Sequence, residues 1–155
     1  MTRQLAIRLL ASLLFPLSLS ASASTTQNSY KSELQAMAGT WLPVSAENNG
    51  YKATAQDLQG AVWKRDRDGN WTMWREGKAV VSWAVKGIDA EKIPKWIDIE
   101  VMDGSYKGVV YKGIYELGRD TLRICFALPD KGIRPSTFSA ARGTINACSE
   151  FRRVH

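Results

Sequence analysis

From residue 39 onward, short polar punctuation divides the chain into runs whose residues alternate between apolar and polar. Asn48-Asn49-Gly50, Asp66 to Asn70, Glu76-Gly77, Asp103-Gly104 and Gly118 to Asp120 mark the breaks. The runs between them are rich in Val, Ile, Trp, Tyr and Thr, which fit a pleated backbone. Side chains of a strand point to opposite faces in turn, so a period of two gives each strand one dry and one wet face. Ile97, Ile99 and Val101 alternate with Asp98 and Glu100. Tyr111, Gly113, Tyr115 and Leu117 alternate with Lys112 and Glu116. Leu122, Ile124, Phe126 and Leu128 alternate with Arg123 and Cys125. A sheet of such strands has to cover its dry face, and closing on itself also removes its exposed edges. A two-sheet sandwich satisfies the same pattern. The reading taken is all-β: an antiparallel, up-and-down barrel with at most a short helix.

Eight strands are expected, at about 39–47, 61–65, 70–75, 78–86, 96–102, 108–116, 121–128 and 144–153. Asp68-Gly69 and Glu76-Gly77 are tight hairpin turns, a helical turn is expected at 53–59, and 129–143 is a longer loop. Ahead of the strands, Arg3 and Arg8 precede an apolar stretch from Leu9 to Leu19, and Ala21-Ser22-Ala23 has the small-x-small pattern of a cleavage site. The stretch is too short to span a bilayer, which needs about 20 residues. Residues 1–23 therefore read as a cleavable signal peptide. Without a cysteine after the apolar run there is no lipobox, so a periplasmic or secreted protein is expected, with no stable membrane span. Residues 24–35 read as a loose leader, with one helical turn over Glu33 to Ala38, and 36–155 as the barrel domain.

Gly39-Thr40-Trp41 opening the first strand is similar to the Gly-x-Trp signature of the lipocalins and the related fatty-acid-binding proteins. A second set of segments is more specific: Ile97-Asp98-Ile99, Asp103-Gly104, Gly113 to Leu117, Asp120 to Ala127, Arg134 to Phe138 and Phe151 to Val154. Together they resemble an uncharacterised bacterial lipocalin-like domain family first collected from planctomycetes, over about residues 36 to 154. The resemblance implies the barrel and no particular activity. In lipocalins the Trp closes one end of the barrel under an Arg from the last strand. Here that implies structural roles for Gly39 and Trp41 with Arg152 or Arg153, through a cation–π contact worth roughly 1 kcal/mol.

The two cysteines, Cys125 and Cys148, lie on the wetter faces of the last two strands. Paired antiparallel, these strands would put both sulfurs on one side and allow a disulfide; two unpaired thiols are the alternative. His155 is the only histidine and the last residue, so no His-based nucleophilic triad is expected. No metal site or cofactor is expected either. Asp98 and Glu100 share a face as a glycosidase pair would, but two acids on an exposed strand face are ordinary surface, and the protein reads as a non-enzyme. The formal charge of +6 falls to about +4 without Arg3 and Arg8, and the remaining cations are scattered. No nucleic-acid partner is expected. Asn70-Trp71-Thr72 is a glycosylation sequon, relevant in a eukaryotic host alone.

The aromatic residues point furthest toward function. Six Trp and five Tyr are many for this length, and Trp63, Trp71, Trp74 and Trp83 fall in three consecutive strands. An eight-stranded barrel is just wide enough to fill with side chains or to hold one small ligand. Trp63, Trp71, Trp83, Tyr111, Tyr115 and Phe126 are the expected apolar walls for a small ligand, with Arg134 as an anion partner at the mouth. The alternative is a filled barrel acting on an envelope enzyme as an inhibitor or immunity-type protein, through loops near 48–60, 103–107 and 129–143. An interior void of roughly 300 Å3 or more would favour the ligand.

Overall fold

A computed structural model of the chain describes residues 20–129 and 132–155, with the side chains of 20–24 left aside. All but the end of the expected signal peptide lies outside the described residues. The order of elements is α1 (Ser20–Met37), β1 (Gly39–Asn48), β2 (Tyr51–Lys52), α2 (Ala55–Leu58), β3 (Ala61–Arg65), β4 (Asn70–Arg75), β5 (Lys78–Asp89), β6 (Lys95–Val101), a 3-10 turn (Gly104–Tyr106), β7 (Val110–Leu117), β8 (Thr121–Ala127) and β9 (Asn146–Val154). Strands β3 to β8 each pair antiparallel with the next. Strand β1 pairs with both β3 and β9 and closes an eight-stranded up-and-down barrel. The two-residue β2 is an accessory hairpin partner at the far end of β1. The β1–β9 pairing decides for the barrel over the sandwich that the same alternation allows: the dry faces meet inside a single closed sheet.

The closing seam is asymmetric. Strand β1 runs along β9 from Thr40↔Val154 to Asn48↔Ala147, with a register shift between Pro43 and Ser45. Pro43 has no N–H to give a ladder, and a bulge is where a strand tolerates proline. Against β3, β1 pairs over Gly39 to Trp41 alone. Beyond that point the helical turn α2 follows, started by a capping box in which Thr54 and Asp57 bond each other's backbone N–H. At the β4–β5 hairpin Glu76 and Gly77 both have positive φ, 51° and 75°, which a two-residue turn with the twist of its strands requires.

The two ends of the barrel differ. One is closed by α1, with the short connections 66–69, 90–94 and 118–120 around it. Residues 24–35 are therefore not a loose leader: they form most of an 18-residue helix that packs Leu34 and Met37 into the core. Tyr30, Leu34 and Met37 fall at i, i+4 and i+7, one face of a helix. That stripe decides the structure over the polarity of the intervening residues. The Tyr30 hydroxyl donates to Val85 O at 3.2 Å, and Glu33 takes bonds from Lys95 and from the Tyr115 hydroxyl.

At the same end Trp41 is fully buried and its Nε1–H donates to Met37 O at 2.9 Å. Of the two arginines open as its partner, Arg153 lies over the ring, 4.2 Å from the centroid, and Arg152 is exposed. Arg153 also donates to Ala36 O, Ala38 O and Arg119 O, and so ties the last turn of α1 to the barrel. Carbonyls at a helix C-terminus lack intrahelical partners and carry partial negative charge, which a guanidinium satisfies on both counts.

Candidate functional site

The other end of the barrel is open, and below it lies a cavity of about 190 Å3. Its wall includes Trp63, Trp71, Trp83, Tyr111 and Phe126, five of the six aromatics expected there, with Ile99, Ile124, Leu128 and Phe151 between them. Trp63 and Trp83 stack with centroids 4.8 Å apart, and Trp63 meets Phe151 edge to face at 5.3 Å. Offset stacking and edge contacts are the arrangements the ring quadrupole favours, so this wall is pre-organised.

The filling is uneven along the barrel axis. Trp41, Trp71, Met37, Tyr115, Ile97 and Leu122 pack the closed half, each at most 2% exposed. In the open half Trp63, Trp83, Tyr111 and Phe126 also point inward, yet each is only half-buried. Opposite Phe126, Gly113 leaves its ring room that a Cβ would take.

Tyr115, expected on the wall, and Arg134, expected at the mouth, lie elsewhere. Tyr115 is at the closed end, bonded to Glu33 of α1 at 2.9 Å. It shares the inward face with Tyr111, but four residues of strand carry it past the cavity. Arg134 is outside the barrel. It pairs with Asp98 at 2.8 Å, donates to Ile97 O and Gly113 O, and lies 4.7 Å over Trp96. Asp98 is on the wet face of β6, so this pairing pins the β8–β9 connection to the outer wall. In place of the expected position at the mouth, its ion pair and hydrogen bonds put Arg134 on the outer wall. The same connection brings Ser139 O to Cys125 on the outer face.

Burial, reinforced by the hydrogen bond and charge of Glu33, pushes the Tyr115 phenol far above its usual 10. Above that pH an unfolded Tyr115 ionises while the folded one keeps its proton, so stability falls as pH rises. The slope is up to about 1.4 kcal/mol per pH unit for this group. Denaturant titrations from pH 9 to 12 should show a smaller alkaline loss for Tyr115→Phe than for the parent. Equal slopes would refute the assignment.

The residue the sequence reading missed is Arg65. It is 4% exposed, lines the cavity, and its Nε, Nη1 and Nη2 have no hydrogen-bond partner among the described residues. Its guanidinium carbon lies 4.5 Å from the centroid of Trp71, 4.7 Å from Phe151, 5.6 Å from Trp41 and 5.8 Å from Trp63. Burial, and then repulsion from Arg153, bring its pKa down to about 9, which leaves it cationic at neutral pH. The signal was present: Arg65 shares strand parity with Trp63. No protein-family model, curated protein or solved structure matches the chain.

Proposed function

We propose that the protein is an exported binding protein that takes a small, largely apolar molecule into the open half of the barrel. The observation that carries this reading is the half-buried state of Trp63, Trp83, Tyr111 and Phe126 on an inward-facing surface. Aromatic area left uncovered inside a barrel is what a ligand would bury, at roughly 25 cal/mol per Å2. The cavity is below the usual 300 Å3 of ligand sites. At the packing density of protein interiors it has room for roughly ten non-hydrogen atoms, a single ring or a short chain.

Export is supported by the Cys125–Cys148 disulfide, since such bonds persist in oxidising compartments. No helix among the described residues is long and apolar enough to cross a membrane. Cleavage after Ala23 would leave Tyr30, Leu34 and Met37 on the barrel. The resemblance to the lipocalin-like family first collected from planctomycetes fits this reading. The second reading, a protein partner, draws on Tyr51, Val80, Met102, Tyr106, Val110 and Ile133, all exposed and all at the open end.

Titration with toluene and 1-hexanol, followed by tryptophan emission and by melting temperature, tests the binding reading. Emission should shift as Trp63 and Trp83 lose water, and the melting temperature should rise with ligand. Ala147→Phe fills the mouth of the cavity and should weaken binding by about tenfold or more. No response to either compound at millimolar concentration would refute the reading.

A further inference from the structure

We propose that the ligand is a small apolar carboxylate whose anionic group pairs with Arg65 inside the barrel; this rests on the binding reading above and specifies it. The Arg65 guanidinium lacks a hydrogen-bond partner among the described residues. A guanidinium carries five N–H donors in a plane and no acceptor, and it stays charged in proteins. Removing such an ion from water is expensive unless an opposite charge and hydrogen bonds replace the lost solvation. Around Arg65 the neighbours are Trp41, Trp63, Trp71 and Phe151. Their π faces attract the cation but accept no conventional hydrogen bond in its plane. The described ion pairs use other residues, and the charge that acts on Arg65 most is that of Arg153, of the same sign.

A buried cation without a counter-charge among the described residues, bordering an apolar cavity, specifies both ends of a ligand. The acid end belongs at Arg65, where a carboxylate accepts two parallel N–H bonds. The apolar body then lies along Trp83, Tyr111 and Phe126 toward the mouth. With room for roughly ten non-hydrogen atoms, phenylacetate and octanoate fit. A long-chain fatty acid would leave much of its tail outside. Ser149 is a further polar residue on the cavity wall.

The test compares isosteres. Calorimetry and tryptophan emission on the protein would measure phenylacetate against phenylacetamide, and octanoate against octanamide, at fixed ionic strength. Each acid should bind about 30-fold or more tightly than its amide. Arg65→Met should bring the acid down to the level of the amide. Carbon-13 NMR of carboxyl-labelled phenylacetate supplies a measurement that needs no variant: the bound carboxyl should stay ionised at a pH where the free acid is protonated. Equal affinity of acid and amide would overturn the proposal while leaving the binding reading intact, and would mean that internal water alone solvates Arg65. Failure of acids, amides and the neutral probes alike would overturn both. If acids bind tightly and Arg65→Met leaves them unaffected, the anion partner is another residue and the assignment is wrong. Should that variant fail to fold, the isostere ratio and the bound carboxyl signal still decide.

Discussion

Trp41→Ala is expected to destabilise the protein by about 4 kcal/mol, within the 3–5 kcal/mol typical of a large buried aromatic truncated to alanine. The side chain is fully buried, so the change opens a cavity where α1 meets the barrel. It also orphans Met37 O, which accepts the indole N–H, and removes the ring beneath Arg153. Trp41→Phe separates these contributions: it keeps much of the ring and loses the hydrogen bond, for about 1–2 kcal/mol. Arg153→Ala is expected to cost about 2–3 kcal/mol, since three charge-assisted bonds to Ala36, Ala38 and Arg119 disappear with the cation–π contact. A double-mutant cycle between positions 41 and 153 should return a coupling near 1 kcal/mol. Urea unfolding followed by far-ultraviolet circular dichroism measures all four proteins. A coupling of zero would mean that the indole and the guanidinium are adjacent without mutual benefit.

Most of the barrel was legible because each strand advertises its faces. Leu122, Ile124 and Phe126 against Arg123 permit one orientation, and a slip of one residue would put all three in water. Gly-containing clusters fixed where the strands turn. The cavity wall was legible for the same reason: Trp63, Trp71, Trp83, Tyr111 and Phe126 each occupy the dry parity of their strand. Parity says which face a residue takes and nothing about depth along the axis. Tyr115 shares the parity of Tyr111 and still sits at the closed end.

Three other features escaped for different physical reasons. The apolar stripe of α1 is three residues in a polar segment, and it becomes decisive only once a barrel end exists for it to cover. Arg134 lies in a connection without a period, so its sequence neighbours do not say whether it folds inward or over the outer wall. Arg65 has the inward parity of Trp63, but an arginine at a strand end reads as a surface charge. Its burial follows from Trp41, Trp71 and Phe151 surrounding it, contacts that join four different strands. Among the described residues that charge meets aromatic faces but no acceptor and no counter-ion, a local cost of the kind natural proteins retain at functional or strained sites.

Breaking the Cys125–Cys148 bond is expected to remove about 3 kcal/mol, the loop entropy of a cross-link spanning 23 residues, and to lower the melting temperature by roughly 10 °C. The two residues face each other across β8 and β9, in register between Ile124↔Ser149 and Phe126↔Ala147. The bond therefore spans the long connection that leaves the mouth, descends over the outer wall and returns. Strand β9 pairs with both β8 and β1, so the same cross-link holds the strand that closes the barrel. Cys125 is fully buried although it lies on the outer face, because the returning connection covers it. For that reason Cys125→Ser is expected to cost more than Cys125→Ala, since a hydroxyl there would need a hydrogen-bond partner under the loop. Thermal unfolding with and without reductant, on the parent and on the double alanine variant, separates the cross-link from the packing. The parent under reductant should match the double variant to within the packing cost of two sulfurs. Insensitivity to reductant, together with two thiols titrating in the native protein, would show that the bond does not form. The barrel would then be held at its last seam by hydrogen bonds and apolar burial alone.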